Sequence, residues 1–387
     1  MLTKNLLPRI GLVLLGVVVA VLLMLALVSL FPGLLPDQRA ANQRIEVRYT
    51  ELDGDLFFHL KGQVKPPQDP ALLSAHVIET DENGFRVPAM RLDDYADYAI
   101  VALGDSFTDA WMVAAPWPDV LARELDTPVL NLAYRGYGTL EEADILREFG
   151  GGDHQWILLG FFEGNDLLNI SRTYLNQGDA GNPLANLVRE TIAPDDFAIE
   201  ESPDGNYRYP LALYIGADFY ELAFYDFYIW ILNAEREVYE QSQNLRVFRE
   251  ALDDIIQTSD GACVAVVYMP TKAHIYFRYA EPFGRRWIEE SGLRTAINAE
   301  GWIDNGVPEA VDFETLLGRM DNQRDAVRDA VEGSGAFFID LTPAFEEAAA
   351  QSQMTYLTYD THWNQSGHEL AGRTVADFLR GQEGCGG

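Results

Sequence analysis

The 387-residue chain is 48% hydrophobic and 23% charged, a globular balance with enough apolar residues for one large core or two modest ones. Its net charge of -32, from 60 acidic against 28 basic residues, repels phosphate backbones at long range and so excludes nucleic acid as an expected partner. Cys263 sits in an apolar strand pattern and Cys385 in a glycine-rich tail, which suggests neither a disulfide framework nor a metal site.

Residues 10–31 are uncharged and mostly Leu and Val. At about 1.5 Å per residue they span a hydrocarbon core of about 30 Å, and they outrun the apolar region of a cleavable signal peptide, about 7–15 residues. An uncleaved transmembrane helix is expected, although Ala40-Ala41 would suit later cleavage. Lys4 and Arg9, within residues 1–9, place that end in the cytoplasm by the positive-inside rule. The expected location is therefore the cell membrane, single-pass, with the bulk of the chain outside the cytoplasm. Residues 32–44, with Pro32, Gly33 and Pro36, read as a linker. Residues 45–90 alternate in short stretches around Asp53-Gly54, a hairpin-turn signal, and read as a small β-rich apron.

Residues 91–382 change character. "YAIVAL", "TPVLNLAY", "HQWILLGFF", "GACVAVVYMP" and "GAFFIDL" are strand-like. Between them lie "PWPDVLARELD", "TLEEADILREF", "NLRVFREALDDIIQ" and residues 312–331, each with helical period, and "GHELAGRTVADFLRG" closes the series. In the second of these Thr139 and Glu142 fit a helix-capping pair. Alternation of this kind predicts a three-layer α/β/α fold around a parallel sheet. Residues 171–240 read as an insertion: a stretch rich in Asn, Gly, Asp and Pro, then a hairpin near Gly216 and Asp218 followed by a buried helix face.

Open parallel sheets bind ligands beyond the C-terminal ends of their strands. Ser106, in "GDSFT", follows the first such strand, where it is either a nucleophile or, with Asp105, a helix cap. His362, in "YDTHWNQSGHELAG", is the one histidine of six with a carboxylate two residues away, and Asp360 would hold its tautomer or cap a turn. Gly136 in "NLAYRGYGT" and Asn165 in "FFEGNDLLN" follow two further strands, as oxyanion donors or as ordinary turn residues. Lys272 in "YMPTKAHIY" would contact an anionic substrate or sit on the surface. Trp363 would stack on a sugar ring or pack beside His362.

In family order these blocks resemble the SGNH hydrolases, the GDSL esterase/lipase superfamily: Gly104-Asp105-Ser106, Gly136, Gly164-Asn165-Asp166, and a final aspartate-histidine block. That last block, Asp360-Thr361-His362-Trp363, is one residue shorter than the usual Asp-x-x-His and resembles the alginate O-acetyltransferase-like branch, as does "YMPTKAHIY". The resemblance implies a flavodoxin-like SGNH fold, with Ser106 as nucleophile, His362 as base and acid, and Asp360 as its orienter. It implies an oxyanion hole of the Ser106 N–H, the Gly136 N–H and the Asn165 amide, and no cofactor or metal. The expected function is a membrane-anchored serine esterase or O-acyltransferase acting on acyl, chiefly acetyl, esters of cell-envelope glycans. The alternative is a non-catalytic envelope protein that binds acylated glycan or scaffolds an assembly.

Overall fold

Apolar runs that alternate with amphipathic helices bury themselves best as parallel strands covered on both faces. The computed structural model describes residues 50–53, 57–60, 79–176, 209–290, 292–358 and 360–382. Strands β1 (Thr50–Asp53) and β2 (Phe57–Leu60) pair antiparallel, Asp53 opposite Phe57, where the sequence signals a turn. Next come β3 (Ile100–Leu103), α1 (Ser106–Asp109), α2 (Trp117–Leu125), β4 (Val129–Asn131), α3 (Thr139–Phe149), β5 (Trp156–Phe162) and α4 (Asp166–Asn176). A hairpin of β6 (Tyr209–Ile215) and β7 (Asp218–Phe224) leads into α5 (Asp226–Trp230), α6 (Arg236–Gln241), α7 (Gln243–Thr258), β8 (Cys263–Met269) and α8 (Lys272–Tyr276). Then follow α9 (Pro282–Glu290), the hairpin β9 (Leu293–Ile297) and β10 (Ile303–Pro308), α10 (Phe313–Arg319) and α11 (Asn322–Ser334). The last elements are β11 (Phe337–Asp340), α12 (Thr342–Ala350) and α13 (Gln365–Arg380).

Five strands form one parallel sheet in the order β11-β8-β5-β3-β4. The chain steps from β3 outward to β4, then crosses back to β5, β8 and β11. This is the doubly wound order of flavodoxin-like sheets, and its direction reverses between β3 and β5. Right-handed crossovers put α2 on one face and α3, α7 and α11 on the other, giving three layers. Strands β3, β5 and β8 are buried along their whole length, as strands covered on both faces must be.

Helix α13 returns to pack on α2. At Gly372 a Cβ would lie 2.5 Å from Val120 and 2.9 Å from the Trp117 carbonyl oxygen, so only glycine lets the two helices approach this closely. The Gln365 side chain, at the start of α13, donates to the Ala115 carbonyl (2.9 Å) and accepts from the Ala115 N–H (3.2 Å).

Several expectations are corrected. Residues 312–331 form two helices, not one: the chain breaks at Met320-Asp321, where the Asp321 carboxylate turns to His274 at 3.1 Å. The cap of α3 is Gly138, whose N–H donates to Glu141 (3.1 Å), one residue ahead of the expected Thr139–Glu142 pair. Cys263 is disulfide-bonded, although its isolation in the sequence suggests otherwise. The β9–β10 hairpin was not anticipated from the sequence. The expected transmembrane segment 10–31, the linker 32–44, residues 177–208 of the insertion and Cys385 lie outside the described residues. Among the described residues no helix is long and apolar enough to cross a membrane.

Candidate active site

The reversal of strand order opens a crevice between the carboxyl ends of β3 and β5, and Ser106 lies there. Strand β3 ends in Gly104 at φ +146°, where a Cβ would lie 2.4 Å from Thr108 Oγ1. Both facts demand glycine and make the turn sharp. Asp105 then caps α1, accepting from the Phe107 N–H at 2.9 Å. The capping and nucleophile readings of this turn are thus compatible: Asp105 caps, and Ser106 becomes the first helical residue. Arg86, only 8% exposed, fastens the following segment, its guanidinium donating to the carbonyls of Asp109, Ala110, Val113 and Ala114 at 2.8–3.1 Å.

From the far end of the chain, His362 Nε2 comes within 2.8 Å of Ser106 Oγ. Its Nδ1 lies 2.5 Å from Asp360 Oδ1, which also accepts the His362 backbone N–H at 2.8 Å. One carboxylate oxygen therefore closes the local turn and faces the imidazole. Phe107 packs beside the ring, with centroids 4.8 Å apart. The imidazole stays 12% exposed and Ser106 7%, so the pair is shielded yet open to a substrate.

Gly136 lies in the turn after β4, exposed, at φ +82°. Its neighbour Arg135 is buried and pairs with Asp109 at 2.9 Å, tying that turn to the helix that begins with Ser106. Asn165, half-buried after β5, hydrogen-bonds the Asp105 carboxylate through its side chain. An amide has two N–H donors, so one serving Asp105 leaves the other for the crevice.

Behind these groups lies a set of buried carboxyls that sequence reading missed. Burial pushes up Asp105, and pushes Glu142 and Asp166 well above the ordinary range, with repulsion from Asp105 adding to the latter two. Neither Glu142 oxygen has a hydrogen-bond partner among the described residues. Burial thus disfavours the charged form at Glu142 and Asp166, which limits formal negative charge behind a site that would have to stabilise an oxyanion. Among the described residues no group of three or more His, Cys, Asp or Glu is disposed to hold a metal ion.

A second buried network supports the Asn165 turn. Glu163 accepts from Tyr268 OH and the Thr271 N–H, both at 2.8 Å, and pairs with His274 Nδ1 at 2.7 Å. Burial alone would lower the His274 pKa, but Glu163 and Asp321 overcome it and raise it to about 9, against an ordinary 6.5. A histidine with a raised folded pKa contributes stability in full below pH 6.5 and loses it as pH rises towards 9. Stability is expected to fall across that window, by up to about 3 kcal/mol for this group. Thermal melts of His274→Gln should show a flatter profile there; an equally steep one would refute the assignment.

Two candidates take other roles. Lys272 is not at a substrate surface: it is 2% exposed, and its ammonium is taken up by backbone carbonyls. Trp363 is fully buried against Phe107, Phe345 and His368, so it packs the core and cannot stack on a sugar. His368 is buried too, and desolvation lowers its pKa to about 3, keeping it neutral. The exposed large aromatics among the described residues are Tyr214 and Phe219, paired across the tip of the β6–β7 hairpin.

Residues 307–387 match the family model of the SGNH hydrolase-like domain of acetyltransferase AlgX. No curated protein matches the chain. Similar solved structures include a lipase/acylhydrolase from Enterococcus faecalis (15% identity, 73% of this chain and 95% of that one, TM-score 0.35). Another is a G-D-S-L family lipolytic protein from Veillonella parvula (11%, 73% and 98%, TM-score 0.37). A third is a single-residue mutant of an acetyl-xylooligosaccharide esterase from Geobacillus (11%, 76% and 98%, TM-score 0.36). At these TM-scores no weight rests on the three structures. The matched C-terminal segment holds Asp360, His362 and Trp363, and the motif blocks carried on β3, β4 and β5 precede it in the chain: in these parts the protein is similar to SGNH hydrolase-like domains of the AlgX-like branch.

Proposed function

We propose that the protein is a membrane-anchored, extracytoplasmic serine enzyme that hydrolyses or transfers ester-linked acyl groups, acetyl foremost, of cell-envelope glycans. The observation that carries this reading is the 2.8 Å approach of His362 Nε2 to Ser106 Oγ, with Asp360 at 2.5 Å from Nδ1. In the proposed reaction Ser106 Oγ attacks the ester carbonyl while its proton passes to His362 Nε2. Asp360 stabilises the imidazolium. The Ser106 N–H, the Gly136 N–H and the Asn165 amide would receive the oxyanion. As the tetrahedral intermediate collapses, the C–O bond to the alcohol breaks and His362 returns the proton to the leaving oxygen. Water or a sugar hydroxyl then gives its proton to His362 and takes the acyl group, and Ser106 is reprotonated.

The acetyl preference is supported by the description of the matching family, an acetyltransferase domain. The apolar segment 10–31 supports the anchor, and a disulfide-bonded Cys263 suits an oxidising compartment. The test is the full chain in detergent with p-nitrophenyl acetate, with and without acetyl-free glycan oligomers. Acetate released to water marks an esterase, and acetyl recovered on the glycan marks a transferase. Absence of both, with no covalent adduct from a fluorophosphonate, would favour the glycan-binding or scaffolding alternative.

A further inference from the structure

We infer that Lys272 is a positioning residue, whose buried ammonium holds the 357–360 turn so that Asp360 and His362 face Ser106. This rests on the proposed acyl chemistry for its kinetic consequence, but its geometry stands alone. The Lys272 ammonium donates to the carbonyls of Leu357 (2.6 Å), Thr358 (2.8 Å), Asp360 (3.1 Å) and Ala223 (2.8 Å). Three N–H donors meet four acceptors, so one is shared.

Three of those carbonyls belong to a single tight turn, closed by the Leu357 N–H donating to the His362 carbonyl at 2.9 Å. Carbonyl dipoles that converge in a turn repel one another, and a buried cation at their focus turns that repulsion into attraction. The fourth belongs to β7, whose Ala223 N–H in turn donates to Thr358 at 2.9 Å. Lys272 itself opens α8, directly after β8 of the central sheet. The ammonium thus joins three separate elements to the sheet: the hairpin, the turn before His362, and α8. Without it the carbonyls of Leu357 and Asp360 lose this charged donor, the Ala223–Thr358 and Leu357–His362 bonds hold the turn less tightly, and Asp360 shifts relative to Nδ1. Misplacement of a catalytic group by about 1 Å typically costs about 10²-fold in rate.

The experiment compares wild type with Lys272→Met, which keeps stem length but not charge, and Lys272→Arg, which keeps charge. The expected result for the methionine variant is kcat down about 10²-fold with KM little changed, and loss of the downfield Nδ1 proton resonance of His362. The arginine variant should retain more of both. A folded Lys272→Met with wild-type kcat and an unaltered resonance overturns the inference. Should that variant not fold, hydrogen exchange of the wild type decides: a Leu357 amide exchanging as fast as an unstructured peptide also overturns it, and strong protection supports it. Failure of the wild type to form an acyl-enzyme would instead overturn the proposed function, leaving the resonance and exchange readouts as the test of Lys272.

Discussion

Ser106→Ala is expected to abolish labelling by a fluorophosphonate probe and to lower turnover of p-nitrophenyl acetate by at least about 10³-fold. The reasoning is local. Ser106 Oγ is the atom that His362 Nε2 approaches at 2.8 Å, and its other near polar neighbour, Asp105 Oδ2, is at 3.5 Å, too far to compete. Removing the hydroxyl leaves Asp105 capping α1 and the Arg86 clamp untouched, so the melting temperature should change little. Equal labelling of variant and wild type, in intact-mass or in-gel measurements, would exclude Ser106 as nucleophile.

Asp360→Asn is also expected to be severe, about 10⁴-fold in kcat. Asp360 Oδ1 receives both the backbone N–H and Nδ1–H of His362. An asparagine whose oxygen keeps the Oδ1 place still accepts the backbone N–H, but a neutral amide oxygen holds Nδ1–H more weakly and brings no negative charge to the imidazolium. The imidazole is then held less firmly in the tautomer whose Nε2 accepts the hydroxyl proton of Ser106, and its protonated form loses its counter-charge. The fold should survive, because the turn is also held by Leu357 and Lys272. Near wild-type kcat in a folded Asp360→Asn variant would remove Asp360 from the mechanism.

The parts of this molecule legible from sequence share one property: their chemistry names particular side chains at particular places. Continuous apolar runs at 100–103, 156–162 and 263–269 can only be covered strands, and a serine, an asparagine and a histidine beside an aspartate stand out against them. The shortened spacing in Asp360-Thr361-His362 is explained by the turn that Asp360 itself closes. What stayed hidden works through the backbone. Arg86 and Lys272 each bind four carbonyls, and a carbonyl belongs to every residue type, so no partner appears in the sequence. Glu142 was misread for another reason. A capping pattern fits Thr139 and Glu142 as readily as Gly138 and Glu141, and only the burial of Glu142 decides the register.

The return of α13 onto α2 sets the order in which the chemistry becomes possible. Ser106 and His362 are 256 positions apart, and the histidine is fixed by the segment leading into α13, whose Gln365 clasps Ala115. A chain emerging from the ribosome exposes its serine long before the segment that carries His362 has been made. On the proposed function the serine therefore stays chemically silent throughout synthesis, and acquires reactivity only when the closing helix docks.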